Sequence, residues 1–329
     1  MKAIVLTKIG DLTGLQYTEE REIPQPRDDE IRVQVKAAGL NPVDYKLAEG
    51  WGGVQWKQSP VLGLDVAGIV DAVGSRVTEF VRGERIFYHG SLAGCSGGFA
   101  EFACTTAHTV SRLPEGVDFV SAAALPCSGF TAYQAVVEKL KLDHNKTILI
   151  HGGAGGVGGY GIQLAKLLGA TVFTTCSPKN DQYVKELGAD EVIHYRTEDI
   201  RKRIDDLTGG RGVDYVVNTV DGQTATKDID LLAFSGELVA VVEHPDFSRL
   251  RFYEKGLSIH EVALGGAHLN GDFRAQRKLA EIGDDYARLL LESKIKLPAI
   301  RTIPLQEIPD GLKELKTRHV AGKIVAVMR

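Results

Sequence analysis

The sequence predicts an α/β protein built on a doubly wound parallel sheet, and three observations predict it. Residues 147–151 form a short apolar run that enters a glycine-rich segment, Gly152-Gly153-Ala154-Gly155-Gly156-Val157-Gly158-Gly159. Apolar and small residues then recur at helical spacing (Val157, Gly161, Leu164, Ala165, Leu168) before a β-rich run at 171–175. Beyond it, short β-rich and amphipathic stretches keep alternating as far as residue 262.

The glycine segment carries the most information. Gly153, Gly155 and Gly158 satisfy the G-x-G-x-x-G spacing between a strand and a helix. In that pattern the first glycine makes a tight turn, the second admits a pyrophosphate close to the backbone, and the third lets helix pack on strand. Unpaired amides and the helix dipole favour an anion at the helix N-terminus, which makes Gly155, Gly156 and Val157 candidate phosphate-binding positions. A plain structural turn is the other reading, because glycine is used wherever a chain needs positive φ. The strand–turn–helix–strand context favours the dinucleotide.

The end of the second strand bears on which dinucleotide. An NAD site places an acid there to accept from the ribose 2′-OH. This chain has Thr175-Cys176-Ser177-Pro178-Lys179-Asn180, with no acid before Asp181. A hydroxyl and an ammonium suit a 2′-phosphate, so Ser177 and Lys179 point to NADPH. A solvated lysine opening the next helix is the bland alternative for Lys179.

The other elements follow in order. The N-terminal eight residues read as an amphipathic strand, 31–37 as a half-buried strand, and 66–74 as a more buried one ending in a turn. Glycines at 83, 90, 94, 97 and 98 break up the next region, and helical patterns follow at 121–125 and 131–137. After the glycine motif we expect helix at 181–187, strand at 191–194, helix at 200–207, and strands at 214–218, 238–242 and 257–262. A long helix at 274–292 and strands at 300–303 and 324–327 close the chain. The last stretch is expected to rejoin the N-terminal β region, giving domains of 1–123 with 268–329 and of 124–267.

Composition excludes several classes. The 329 residues are 43% hydrophobic and 25% charged, as in an ordinary globular protein. A formal charge of -4 and a pI near 6.2 give no reason to expect nucleic acid or an anionic membrane as partner. The first apolar run is too short for a signal-peptide core, so a cytoplasmic protein is expected. Cys95, Cys104, Cys127 and Cys176 form no C-x-x-C pair, which fits reduced thiols better than a zinc lobe or a disulfide framework.

Motifs spread along the chain resemble those of the medium-chain dehydrogenase/reductases, in their zinc-independent quinone oxidoreductase branch. They are Ala38-Gly39-Leu40-Asn41-Pro42-Val43-Asp44, Val77-Thr78-Glu79-Phe80-Val81-Arg82-Gly83-Glu84-Arg85-Ile86, Gly97-Gly98-Phe99-Ala100-Glu101-Phe102, Ala154-Gly155-Gly156-Val157-Gly158 and His319-Val320-Ala321-Gly322-Lys323-Ile324-Val325. The resemblance implies a chaperonin-10-like β domain, a Rossmann domain, a cleft between them and a homodimer. It departs from the zinc-dependent relatives in chemically important ways. Asn41 and Asp44 occupy the region of one cysteine ligand, and the Gly-His-Glu motif reads Gly63-Leu64-Asp65. Cys127 lies where a third ligand would fall, but one thiolate cannot hold a catalytic zinc. No metal is expected.

Without a Lewis acid, quinones and α,β-unsaturated carbonyls are the acceptors that need least help, because conjugation spreads the charge that hydride addition creates. The expected activity is hydride transfer from NADPH to such an acceptor. By the resemblance, Asn41 donates to the substrate carbonyl or the nicotinamide ribose, and Tyr45 is either the proton donor or an aromatic packed under the 41–45 loop. Asp44 either caps that loop or touches substrate, while Trp51 and Trp56 line a flat pocket or form a surface flap. Thr131, Tyr195, Val241, Val242, Leu264, Gly265 and Gly266 are placed around the cofactor by the same resemblance, with a surface aromatic closing a strand as the other reading of Tyr195. His89, His108, His151 and His194 show no ligand spacing and read as structural. Two further readings stay open: a 2-enoyl-thioester reductase, and a cofactor-binding protein of low turnover.

Overall fold

The computed structural model describes residues 1–56, 58–250 and 252–328. The chain divides into two compact units, Met1–Phe130 with Gly265–Arg329, and Thr131–Leu264.

The first unit is mainly β. Its strands are β1 (Ala3–Leu6), β2 (Leu15–Thr18), β3 (Glu30–Gly39), β4 (Asp65–Val73), β5 (Arg85–His89), β6 (Phe102–Thr106) and β7 (Ser111–Arg112), joined late in the chain by β14 (Ile300–Pro304) and β15 (Lys323–Val327). The larger sheet runs β14-β15-β3-β4-β5-β7, with β6 also paired to β3. β3 is its organising strand. Its first half alternates buried and half-exposed residues against β6, and its last residues, Ala37 to Gly39, pair with β15. Small residues there let both neighbours close in, so the C-terminal end of β3 is fully buried. This is the point at which chain ends more than 280 residues apart in sequence meet.

The second unit contains β8 (Thr147–Ile150), β9 (Thr171–Cys176), β10 (Glu191–His194), β11 (Val213–Asn218), β12 (Leu232–Ala240) and β13 (Ser258–Glu261). They form one six-stranded sheet in the order β10-β9-β8-β11-β12-β13, and every pairing is parallel. This is the doubly wound sheet that the alternating pattern predicts. The order reverses between β8 and β11, and such a switch point is where open α/β sheets bind ligands. The Gly156–Leu167 helix follows β8 and is buried on almost every side between Gly158 and Ala165. Its glycines and alanine keep it thin enough to sit against the sheet.

Several local expectations need correction. The 41–45 stretch is not a loop: Asn41 is the N-cap of a helix, Pro42–Ala48, with Pro42 at its first position. The strand expected at 238–242 begins six residues earlier and stops at Ala240. The Gly222–Leu231 and Ile308–Lys316 helices were not expected, although Asp221 caps the first through Thr224 N. The tight turn of the glycine motif also sits one residue early, because Gly152, not Gly153, has the left-handed φ of +68°.

Candidate functional site

The candidate residues fall into two groups, one in each unit. In the second unit they gather beyond the carboxyl ends of the parallel strands. Gly155 lies extended just ahead of the Gly156–Leu167 helix, and no side chain caps that helix. The amides of its first turn are therefore left for an anion. A Cβ on Gly155 would meet only the Gly152 carbonyl oxygen at 3.3 Å, whereas one on Gly158 would lie 2.3 Å from that oxygen and 2.8 Å from Gly153 Cα. Gly155 thus keeps the approach open, while Gly158 lets helix and turn touch. The spacing predicts packing of helix on strand for Gly158, and the close neighbour is instead the turn at Gly152 and Gly153.

Ser177 and Lys179 follow β9 directly. Ser177 Oγ accepts from Asn180 Nδ2 at 3.2 Å, and Lys179 is exposed and makes no ion pair among the described residues. The nearest acid, Asp181, is engaged elsewhere, with Lys185 Nζ at 2.7 Å and His194 Nε2 at 2.9 Å. Those side-chain hydrogen bonds, Lys185 first, hold its carboxyl below the ordinary range. Tyr195 is 48% exposed just past β10, and the Arg196 guanidinium lies 5.8 Å from its ring centre. Arg196 is a cation the sequence reading missed. Val241 follows β12, and its amide donates to Asn218 O beyond the end of β11 at 2.9 Å; Val242 comes next. Thr131 is buried on a short helix packed against the Gly156–Leu167 helix, and Leu264 is buried at the end of the unit.

In the first unit the site is a buried polar cluster around Asn41. Lys323 Nζ donates to Asn41 Oδ1 at 2.5 Å and to Asp65 Oδ2 at 3.2 Å, while Asn41 Nδ2 donates to the same Asp65 oxygen at 2.8 Å. The amide orientation is dictated by its neighbours, since the reverse would set its oxygen against a carboxylate and its NH2 against an ammonium. Asp65 Oδ1 accepts from Cys127 N at 2.7 Å. Asp65 is fully buried and Lys323 is 5% exposed. Most of Asn41's bonding capacity is therefore spent inside the cluster. Burial pushes the Asp65 carboxyl upward, against Lys323, Asn41 and the Cys127 amide.

Asp44 turns back to accept from Asn41 N at 2.8 Å, half of a capping box. This resolves its two readings in favour of the cap. It is wholly buried, and that burial, with Asp65 nearby, pushes its carboxyl up to about 8. The folded chain therefore holds a proton that the unfolded chain releases between pH 3.8 and about 8. Stability drawn from this group falls as pH rises through that window. Asp44→Asn keeps the capping acceptor without the charge. Its stability relative to the wild type should rise from about pH 5 to about pH 8 in urea denaturation. A pH-independent difference would contradict this.

Tyr45 lies in the hydrophobic core of the first unit at 7% exposure, Trp56 packs against that core, and Trp51 is 52% exposed. Gly265 and Gly266 open the Gly266–Leu269 helix, where a Cβ on Gly265 would strike Leu92 Cδ1 at 2.4 Å. Asp65, His89 and Lys323 were not read as site residues. The signals available were an acid retained after Gly63-Leu64 and a lysine in the C-terminal motif.

Two family models match this chain: an alcohol dehydrogenase GroES-like domain over residues 27–115 and a zinc-binding dehydrogenase over 156–281. With the parallel sheet and its glycine turn, these define a two-domain dehydrogenase in which the first unit is GroES-like and the second is a Rossmann domain. The chain is 31% identical to human quinone oxidoreductase over 246 residues, 73% of either protein. It is 32% identical to the chloroplast envelope quinone oxidoreductase homolog of Arabidopsis thaliana, covering 96% of this chain and 94% of that one. The quinone oxidoreductase of Pseudomonas syringae pv. Tomato DC3000 superposes with a TM-score of 0.89 at 28% identity, over 99% of each chain. The chain belongs to the medium-chain dehydrogenase/reductase superfamily, in its quinone oxidoreductase branch, and is an oxidoreductase.

The zinc in one family description calls for a test against the residues present. Asp65, His89 and Cys127 bring a carboxylate oxygen, a ring nitrogen and a sulfur within 4.8 Å of one another. The set does not fit zinc. The Asp65 carboxylate already accepts from three donors, one of them an ammonium that would repel a divalent ion. Burial, reinforced by the Asp65 charge, holds Cys127 as a thiol, and burial keeps His89 neutral with a pKa of about 3.

Proposed function

We propose that this chain is a zinc-independent, NADPH-dependent reductase acting on a quinone or an α,β-unsaturated carbonyl. The observation that carries the cofactor choice is the segment after β9. Ser177 and Lys179 stand there, and Asp181, the first acid in the sequence after them, is tied to Lys185 and His194. Arg196 adds a cation beyond the neighbouring strand.

The bound dinucleotide supplies the hydride. First-turn amides of the Gly156–Leu167 helix hold the pyrophosphate, and Ser177 and Lys179 hold the 2′-phosphate. Thr131, Val241, Val242, Leu264, Gly265 and Gly266 shape the remainder of the cofactor's surroundings, and Tyr195 flanks the adenosine end. The Asp65, His89 and Cys127 set does not fit zinc and the Lys323 ammonium is spent on Asn41 and Asp65, so acceptors that need little carbonyl polarisation are favoured. The burial of Tyr45 supports its packing role, and water then provides the proton that completes reduction.

The test follows NADPH and NADH oxidation by chelator-treated protein, with a benzoquinone and a simple enone as acceptors. NADPH-selective turnover that survives chelation is expected. Lys179→Ala combined with Ser177→Asp should lower the preference for NADPH over NADH by about tenfold or more, the order of one charge-assisted hydrogen bond. Turnover abolished by chelator would overturn the metal-free reading. A variant with unaltered preference would overturn the 2′-phosphate assignment.

A further inference from the structure

Beneath the glycine turn of the second unit lies a buried histidine–aspartate pair that the reaction does not explain. His151 and Asp228 are 2% and 1% exposed, and His151 Nε2 lies 2.8 Å from Asp228 Oδ1. Asp228 sits on the Gly222–Leu231 helix, where a packed helix–sheet interface would ordinarily carry an aliphatic side chain. A carboxylate there is costly unless its oxygens are matched. Both are matched, since the other oxygen accepts from Asn218 Nδ2 at 2.6 Å.

The carboxylate accepts, so His151 Nε2 carries a proton and turns that edge of the ring toward Asp228. Thr175 Oγ lies within hydrogen-bond distance of Nδ1, at 3.2 Å, and accepts from Gly152 N at 3.1 Å. Asn218 Oδ1 accepts from Val220 N at 2.9 Å, and Thr219 Oγ donates to His151 O at 2.7 Å. The network joins the carboxyl ends of β8, β9 and β11, the strands on either side of the switch point. It grips Gly152, the left-handed residue that starts the phosphate-binding turn.

We propose that His151 and Asp228 are positioning residues for the dinucleotide: by fixing Gly152 through Thr175 they set the geometry of the turn, and with it cofactor affinity. The inference rests on the proposed function only in taking this turn as the cofactor site. It separates these two residues from an ordinary buried pair, whose loss would lower stability and leave affinity unchanged.

The experiment measures NADPH and NADH binding by fluorescence titration at 25 °C, alongside thermal unfolding, for the wild type, Asp228→Asn and the exchange Asp228→Asn/Asn218→Asp. In Asp228→Asn one amide oxygen faces two donors, so either one donor is left unmatched or His151 reverses its hydrogen bonds and with them its contact to the Thr175 hydroxyl that holds Gly152. NADPH affinity should fall roughly tenfold or more, the order of one unsatisfied buried donor, and KM for NADPH should rise with little change in KM for the quinone. In the exchange, the amide on the helix accepts from His151 and donates to the carboxylate at the end of β11. The second oxygen of that carboxylate takes the Val220 amide, and affinity should return to near the wild-type value. Should Asp228→Asn fail to fold, Thr175→Val removes the hydroxyl between His151 and Gly152 and is expected to weaken NADPH in the same way. A lowered melting temperature with unchanged affinity, or an exchange that restores stability but not affinity, overturns the inference. A wild type that binds neither nucleotide overturns the functional reading, and the inference with it.

Discussion

Replacing Lys323 with methionine is expected to destabilise the protein by about 3–5 kcal/mol, the scale for removing one partner of a buried ion pair. Lys323 Nζ faces three oxygens, Asn41 Oδ1 at 2.5 Å, Asp65 Oδ2 at 3.2 Å and Leu40 O at 3.4 Å. Methionine fills much of the same volume and satisfies none of them. Asp65 would be left fully buried, supported only by Asn41 Nδ2 and the Cys127 amide. The deficit should shrink on acidification, because without Lys323 the Asp65 carboxyl in the folded variant rises further and takes up a proton. Urea denaturation across pH, with the double variant Asp65→Asn/Lys323→Met, checks the argument. The double variant should be less destabilised than Lys323→Met alone, since it buries no unpaired charge. A single-variant loss below about 1 kcal/mol would show that the pair behaves like a surface salt bridge.

The second large effect is expected from two glycine substitutions that look alike in sequence. Gly158→Ala places a Cβ 2.3 Å from Gly152 O and 2.8 Å from both Gly152 C and Gly153 Cα. Those contacts are all backbone and cannot rotate away, so the helix must lift from the turn. The cost should be about 1–3 kcal/mol or more, in the range of overpacked cores. Gly155→Ala meets one oxygen at 3.3 Å at an ordinary backbone conformation, φ −81°. It should leave the melting temperature within a few degrees of wild type yet weaken NADPH binding at least tenfold, because its methyl group projects into the proposed pyrophosphate position. Parallel thermal unfolding and NADPH titration separate the two. Equal effects on stability would mean that the third glycine does not serve helix packing.

Much of the second unit was legible from the sequence because its information is local. A strand–turn–helix needs an apolar run, glycines at fixed offsets and a helical repeat, all within about twenty residues. The place of Ser177 and Lys179 just after β9 was legible for the same reason, because the end of the β-rich run marks it. The Pro42–Ala48 helix was missed although Asn41 and Pro42 spell an N-terminus, because its buried residues are too few to show a period. Gly222–Leu231 was missed in part because its buried positions include an aspartate, which no hydrophobic pattern would place inside.

The sequence by itself determined the parallel sheet, the glycine turn and the absence of an acid between β9 and Asp181. Only the tertiary structure decided what Asn41, Asp44, Asp65, His151, Asp228 and Lys323 do. Lys323 stands 258 residues from Asp65, and Asp228 stands 77 from His151. A polar side chain in the sequence is exposed by default, and whether its burial is tolerated depends on which donors and acceptors the fold brings within about 3 Å. That list is a property of packing between distant elements, so it becomes readable only once the strands have found their neighbours.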